Sequence, residues 1–189
     1  MIKKIFTAIA FLIIIFLPSI LRSQDLAAFS NFRDNFYVFD GGQFIKLDHL
    51  PVQNYKVSKW AVAYQKSNGS LIVYTNGQAH KMSEVVGDYQ LTESLMIYQY
   101  GGNLYAYDGV EKEKLSMDAP YYKANGEVVA FYDRIDKEFK MYYDGVVYDV
   151  ESALSNEPVS NYQVGDNILV YLDHNGYLNS FYKGKRNEI

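Results

Sequence analysis

YKVSKWAVAYQKSNGSLIVYTNGQAHKM, running from Tyr55 to Met82, decides the fold. It divides into four short strands: Tyr55 to Val57, Trp60 to Gln65, Leu71 to Tyr74 and Gln78 to Met82. Asn68-Gly69 and Asn76-Gly77 are the expected hairpin turns, since type I′ turns need φ > 0 at both central positions and Asn-Gly reaches that conformation at least cost.

The same pattern recurs from Leu26 to the last residue. The third strand and its turn read FYVFDGG (Phe36 to Gly42), LIVYTNG (Leu71 to Gly77), LYAYDG (Leu104 to Gly109), FKMYYDG (Phe139 to Gly145) and LNSFYKG (Leu178 to Gly184). An apolar residue follows each: Leu47, Met82, Leu115, Val150 and Ile189. Upstream lie second strands LAAF, AVAY, SLMIY, VVAF and ILVY, beginning at Leu26, Ala61, Ser94, Val128 and Ile168. First strands open on Tyr55, Tyr89, Tyr122 and Tyr162, which stand 34, 33 and 40 residues apart. A period of this size is the signature of a repeat architecture.

The second and third strands are apolar at nearly every position, as in Ile168 to Tyr171. Continuous apolar strands are covered on both faces, which a radial stack of small sheets provides and a two-layer sandwich does not. The chain therefore reads as an all-β, β-propeller-like array of about five four-stranded meanders, the first lacking its inner strand. The repeats span residues 25–50, 54–86, 88–118, 121–155 and 161–189, and a β-hairpin solenoid is the second reading. The pattern resembles β-propeller blades, nearest to the short exported blades of the TolB type. The tryptophan-aspartate ending of WD40 blades and the Ser-x-Asp-x-Gly-x-x-Trp box of sialidase blades are missing, so no family's functional residues carry over. Outside the N-terminal segment, Glu84 to Asp88 and Glu151 to Leu154 are each expected to form at most one helical turn.

Residues 1–23 read as a secretory signal peptide: Lys3 and Lys4, an apolar run from Ile5 to Leu17, then Pro18 and Ser19. The run is short of the ~20 residues a spanning helix needs, which makes an uncleaved anchor the second reading. Removing Lys3, Lys4 and Arg22 leaves fifteen basic residues against twenty-two acidic ones, a net charge of about −7. The mature domain, 24–189, is thus expected to be secreted or periplasmic and acidic, with no membrane span and no nucleic-acid partner. The chain has no cysteine and only three histidines, so neither disulfides nor a structural zinc site are expected.

A meander sends its second-to-third-strand loops and its unit-to-unit links to one end. That end gathers Phe32, Arg33, Asp48, His49, Tyr100, Tyr121, Asp133, Arg134, Asp136, Asp173, His174 and Tyr177, which together form the candidate ligand-binding set. The opposite end carries mainly two-residue turns with little room for a site. No catalytic residue, metal ligand or cofactor is assigned. His49, His80 and His174 lie in different repeats, no serine sits in a nucleophile elbow, and Asp173-His-Asn-Gly lacks the ligand spacing of a calcium loop. Lys56, Gln90, Lys123 and Gln163 recur on the inner strands, as a polar channel lining or simply as the water-facing alternate residue.

The function expected is an exported non-enzymatic module that binds a protein or glycan through the loop end. A propeller hydrolase using loop carboxylates and a structural envelope scaffold are the alternatives. Because the first unit lacks its inner strand, the sequence also predicts either a piece of a longer propeller or self-association through an open sheet edge.

Overall fold

The computed structural model describes residues 26–152, 159 and 161–188. The expected signal segment lies outside them, as do Leu154 and Ile189. Among the described residues every regular element is a strand, and none is a helix long and apolar enough to cross a membrane.

Blade 1 is a three-stranded antiparallel sheet of β1 (Ala27–Ser30), β2 (Phe36–Asp40) and β3 (Gln43–Asp48). Blade 2 is β4 (Val52–Val57), β5 (Ala61–Lys66), β6 (Leu71–Thr75) and β7 (Gln78–Ser83). Blade 3 is β8 (Tyr89–Leu91), β9 (Met96–Tyr100), β10 (Asn103–Tyr107) and β11 (Lys112–Ser116). Blade 4 follows with β12 (Tyr122–Asn125), β13 (Val128–Asp133), β14 (Glu138–Tyr143) and β15 (Val146–Ser152). Blade 5 is β16 (Tyr162–Val164), β17 (Ile168–Leu172), β18 (Leu178–Tyr182) and β19 (Lys185–Glu188). Each sheet is a meander in chain order, and among the described residues the first has no inner strand, as the repeats predict. Residues 84–88 form no helical turn, and β15 runs through Glu151 and Ser152 as strand. At 84–88 the backbone is bent where one turn of helix was expected; of the second expected turn only Glu151 and Ser152 lie among the described residues.

The turns follow residue chemistry except at Asn68-Gly69 and at Asp108-Gly109, where the glycine alone is left-handed. Asn76-Gly77, Asp144-Gly145 and Lys183-Gly184 all have φ > 0 at both positions, giving tight two-residue hairpins between third and fourth strands. Asn68-Gly69 does not form a type I′ pair, since only Gly69 (φ 89°) is left-handed. Gly69 N–H donates to the Lys66 carbonyl at 2.9 Å, and Lys66 N–H to Ser70 at 2.9 Å. The loop is therefore a turn over Ser67-Asn68 closed by a glycine bulge, with the Asn68 side chain accepting from Ser70 N–H. Asp173 to Tyr177 repeats that arrangement.

A bulge recurs where the third strand starts. Register shifts separate Phe36 from Tyr37, Leu71 from Ile72, Leu104 from Tyr105 and Phe139 from Lys140. The extra residue opposite each shift is Leu47, Met82, Leu115 or Val150, the apolar residue that recurs on an otherwise exposed fourth strand. Each packs into the core between its own blade and the next. A bulge turns one side chain of an edge strand inward and twists the remaining edge away.

Four cores fill the spaces between five blades. Phe36 and Val38 meet Val62, Tyr64 and Tyr74. Ala61, Ala63, Leu71 and Val73 meet Met96, Tyr98 and Tyr107. Ile97, Leu104 and Ala106 meet Val129, Phe131 and Tyr142, and Val128, Ala130, Phe139 and Met141 meet Leu169, Tyr171 and Phe181. Burial on both faces is complete in β13, where all six residues are buried. It fails in β17, where Ile168, Val170 and Leu172 are only half-buried, because among the described residues blade 5 packs against blade 4 alone.

Candidate functional site

Blade-to-blade links enter the inner strands at the end where second strands finish. There the link backbone lies beside the second strand: Gly87 N–H donates to Gln99 at 3.0 Å, Gln99 N–H to Asp88 at 2.9 Å, and Leu172 N–H to Asn161 at 3.0 Å. Between blades 3, 4 and 5 this geometry leaves a cleft of about 490 Å³. Asp88 and Gln99 of blade 3 form one side, and Val159 and Tyr162 of the last link and β16 the other. Pro120, Tyr121, Tyr122 and Lys123 lead into blade 4, which supplies Tyr132 and Phe139 as well. Four tyrosines and a phenylalanine make an apolar, aromatic wall with few polar groups, the composition of small-molecule and side-chain sites in general.

The polar groups are held in place. Tyr122 donates its hydroxyl to Asp88 at 2.9 Å, and burial beside that carboxylate keeps the phenol proton well above the usual tyrosine range. Burial pushes Tyr162 up to about 12. Both are neutral at physiological pH. The Gln99 amide donates to the Ala119 carbonyl at 2.6 Å, and Lys123 lies 4.3 Å from the Tyr162 ring centre with its ammonium 3.1 Å from the Tyr162 carbonyl. Tyr121 stands exposed at the mouth, its carbonyl accepting from Tyr132 N–H.

Of the twelve residues selected from sequence, only Tyr121 lines this cleft. Phe32 and Arg33 form an exposed pair 5.1 Å apart on blade 1. Asp48 is buried, accepts from His49 and Leu50 N–H at 2.8 and 3.1 Å, and pairs with Lys66 at 2.9 Å. Tyr100, the last residue of β9, and Tyr177, in the loop before β18, are both exposed, on blades 3 and 5. Asp133 accepts from Ile135 and Asp136 N–H, and Arg134 pairs with Asp118 at 2.6 Å. Asp173 accepts from Asn175 and Tyr177 N–H, and His174 meets Glu151 at 2.7 Å. The three carboxylates Asp48, Asp133 and Asp173 thus each close the turn of their own blade. Asp133 and Asp136 do share a hollow of about 280 Å³, but Lys140 lies between them, 2.5 Å from Asp136. Among the described residues no group of three His, Asp or Glu is placed to hold a metal ion. The opposite end is less bare than its short turns imply, with a polar hollow of about 250 Å³ between Ser94, Asp108, Glu127 and Asp144.

The inner-strand polar series has a third role, neither channel lining nor simple exposure. Lys56 donates to the Tyr89 carbonyl and covers the Tyr89 ring at 4.7 Å; Lys123 does the same at Tyr162. Gln90 accepts from Ala124 N–H at 3.1 Å. Lys56, Gln90 and Lys123 thus each clasp the inner strand of the following blade.

A family model described as a 10-bladed beta propeller domain matches residues 20–189. The chain belongs to that family. No curated protein sequence matches it. Among solved structures, Kluyveromyces lactis Hsv2 is 9% identical and aligns over 88% of this chain and 60% of its own, with a TM-score of 0.50. The computationally designed Ika8 protein is 14% identical over 88% of this chain and 59% of its own (TM-score 0.45), and human WBSCR16 9% over 86% and 60% (TM-score 0.48). The chain spans about three-fifths of the length of these structures. Likeness at such identities speaks to fold alone. Membership of the propeller family sets aside the hairpin solenoid.

Proposed function

We propose that this propeller is an exported, non-enzymatic binding module that takes its ligand in the Tyr121 cleft. The cleft itself carries the proposal: an aromatic wall from blades 4 and 5, with fixed polar groups at its edges, Asp88 and Gln99 of blade 3 among them, at the loop end of the array. Such a site suits a flat group with one apolar face and a polar rim, as in a pyranose ring or an aromatic side chain of a protein partner. The N-terminal Lys3-Lys4 and apolar run support export, and the turn-closing roles of Asp48, Asp133 and Asp173 weigh against a carboxylate pair for glycosidic cleavage.

Tyr121→Ala removes an exposed ring whose side chain closes no core, so the fold is expected to persist. Binding to hits from a glycan array or a peptide library should weaken about tenfold, the loss expected for one stacked aromatic. Tyr177→Ala, outside the cleft, should leave affinity within about twofold. Equal affinities for Tyr121→Ala and the unaltered chain would overturn the assignment. Turnover of aryl glycosides lost on Asp133→Asn or Asp173→Asn would replace binding with hydrolysis.

A further inference from the structure

Every interface between blades is built the same way. The face that a blade turns to its predecessor carries a large aromatic at the end of the second strand: Tyr64, Tyr98, Phe131 or Tyr171. A second aromatic stands near the end of the third: Tyr74, Tyr107, Tyr142 or Phe181. The face turned to the successor carries small or aliphatic residues on the second strand, as with Ala61 and Ala63 or Val128 and Ala130, and one larger residue at the start of the third, Phe36, Leu71, Leu104 or Phe139. A front with two aromatics meets such a back four times.

Among the described residues one face of each kind is left unmatched. Blade 1 presents a front without a predecessor: Phe29 and Phe39 occupy the two aromatic positions, with Tyr37 stacked on Phe29 at 5.6 Å and Phe44 5.1 Å from Phe39. Phe29 is 37% exposed and Phe44 67%, whereas Tyr64, Tyr98, Phe131 and Tyr171 are 2% exposed or less. Blade 5 presents a back without a successor, made by Ile168, Val170 and Leu178. Leu178 is 41% exposed where Leu71, Leu104 and Phe139 are at 1% or below. Gln163, fourth in the clasping series, is exposed beside them. Among the described residues no core joins blade 5 to blade 1.

We propose that the occupant of each face is the other face on a second copy, so that two chains close head to tail. The contact would continue an interface already made four times within the chain. Heterologous contacts either close into rings or run on as filaments. Closure also covers apolar surface of a kind that monomers rarely leave open.

The test needs the full chain and two variants. The ratio of native to denatured mass gives the copy number whatever happens to the N-terminus, and the account predicts two. Phe29→Asp spoils the front and Leu178→Asp the back, so each alone should be monomeric, with the dissociation constant raised about a hundredfold or more by the buried unpaired charge. Mixed together they should form a one-to-one pair, because each retains the face the other has lost. Phe44→Asp, at the most exposed ring, replaces Phe29→Asp if circular dichroism shows that variant unfolded. A Leu178→Asp chain that still dimerises alone would show a front-to-front contact and overturn the proposal. So would an unaltered chain that is monomeric, whatever then covers the two faces, or one that forms open polymers.

Discussion

Asp48 shows how a residue chosen for chemistry is used for structure. Burial alone would raise its pKa. The hydrogen bond and charge of Lys66 and the N–H groups of Leu50 and His49 outweigh that, holding the carboxyl below the ordinary range. A carboxyl depressed in the folded state adds stability above its unfolded pKa of about 3.9, and that stability is lost as pH falls through the folded value. Asp48→Ala leaves two N–H groups and an ammonium without their acceptor, and should cost about 1–3 kcal/mol at pH 7. Urea unfolding at pH 7 and pH 2.5 checks this, with the gap between variant and parent narrowing in acid. An equal gap at both values would mean that the charge contributes nothing. The sequence placed Asp48, Asp133 and Asp173 correctly at loops. Their neighbours, an N–H two residues on or a lysine across the hairpin, decide the role, and a loop aspartate carries no mark of them beforehand.

At the scale of elements, strands and hairpins were legible because period and turn chemistry agree: β5, β6 and β7 start where the apolar runs and Asn-Gly pairs place them, to within a residue. The misreading at Asn68-Gly69 arose because one dipeptide serves both a two-residue hairpin and a three-residue loop with a glycine bulge. The recurrent fourth-strand apolar residue was visible, but the bulge that turns it inward was not, since a register shift depends on the partner strand. Contact between blades was equally hidden at Gly126. A Cβ there would stand 2.6 Å from the backbone of Asp166 in blade 5, and its φ is +52°. Gly126→Ala should therefore cost about 2–4 kcal/mol, strain and crowding together. Gly77→Ala shares a left-handed φ but meets nothing within 4 Å, and should cost only about 1–2 kcal/mol. Chemical denaturation of the two variants side by side decides it. Equal losses would remove the inter-blade contact from the account.

For the molecule as a whole, the repeat alignment was enough for blade number, strand order and the missing inner strand. The end of the array at which the cleft lies was legible from meander geometry; the cleft was not. Tyr122 and Tyr162 repeat at strand starts, so in sequence they read as core, and only the approach of three blades turns them toward one space. One signal was available. The residue after the second-strand aromatic is Ser30, Gln65, Gln99, Tyr132 and Leu172 in the five blades, and it is aromatic in blade 4 alone. An exception to a repeat marks where a blade does something its neighbours do not. The most direct test of the central claim is a ligand footprint. With an array hit titrated into isotope-labelled protein, amide shifts should centre on Tyr121, Tyr122, Lys123, Tyr132 and Tyr162. Shifts centred instead on Asp108, Glu127 and Asp144, at the opposite end, would contradict it.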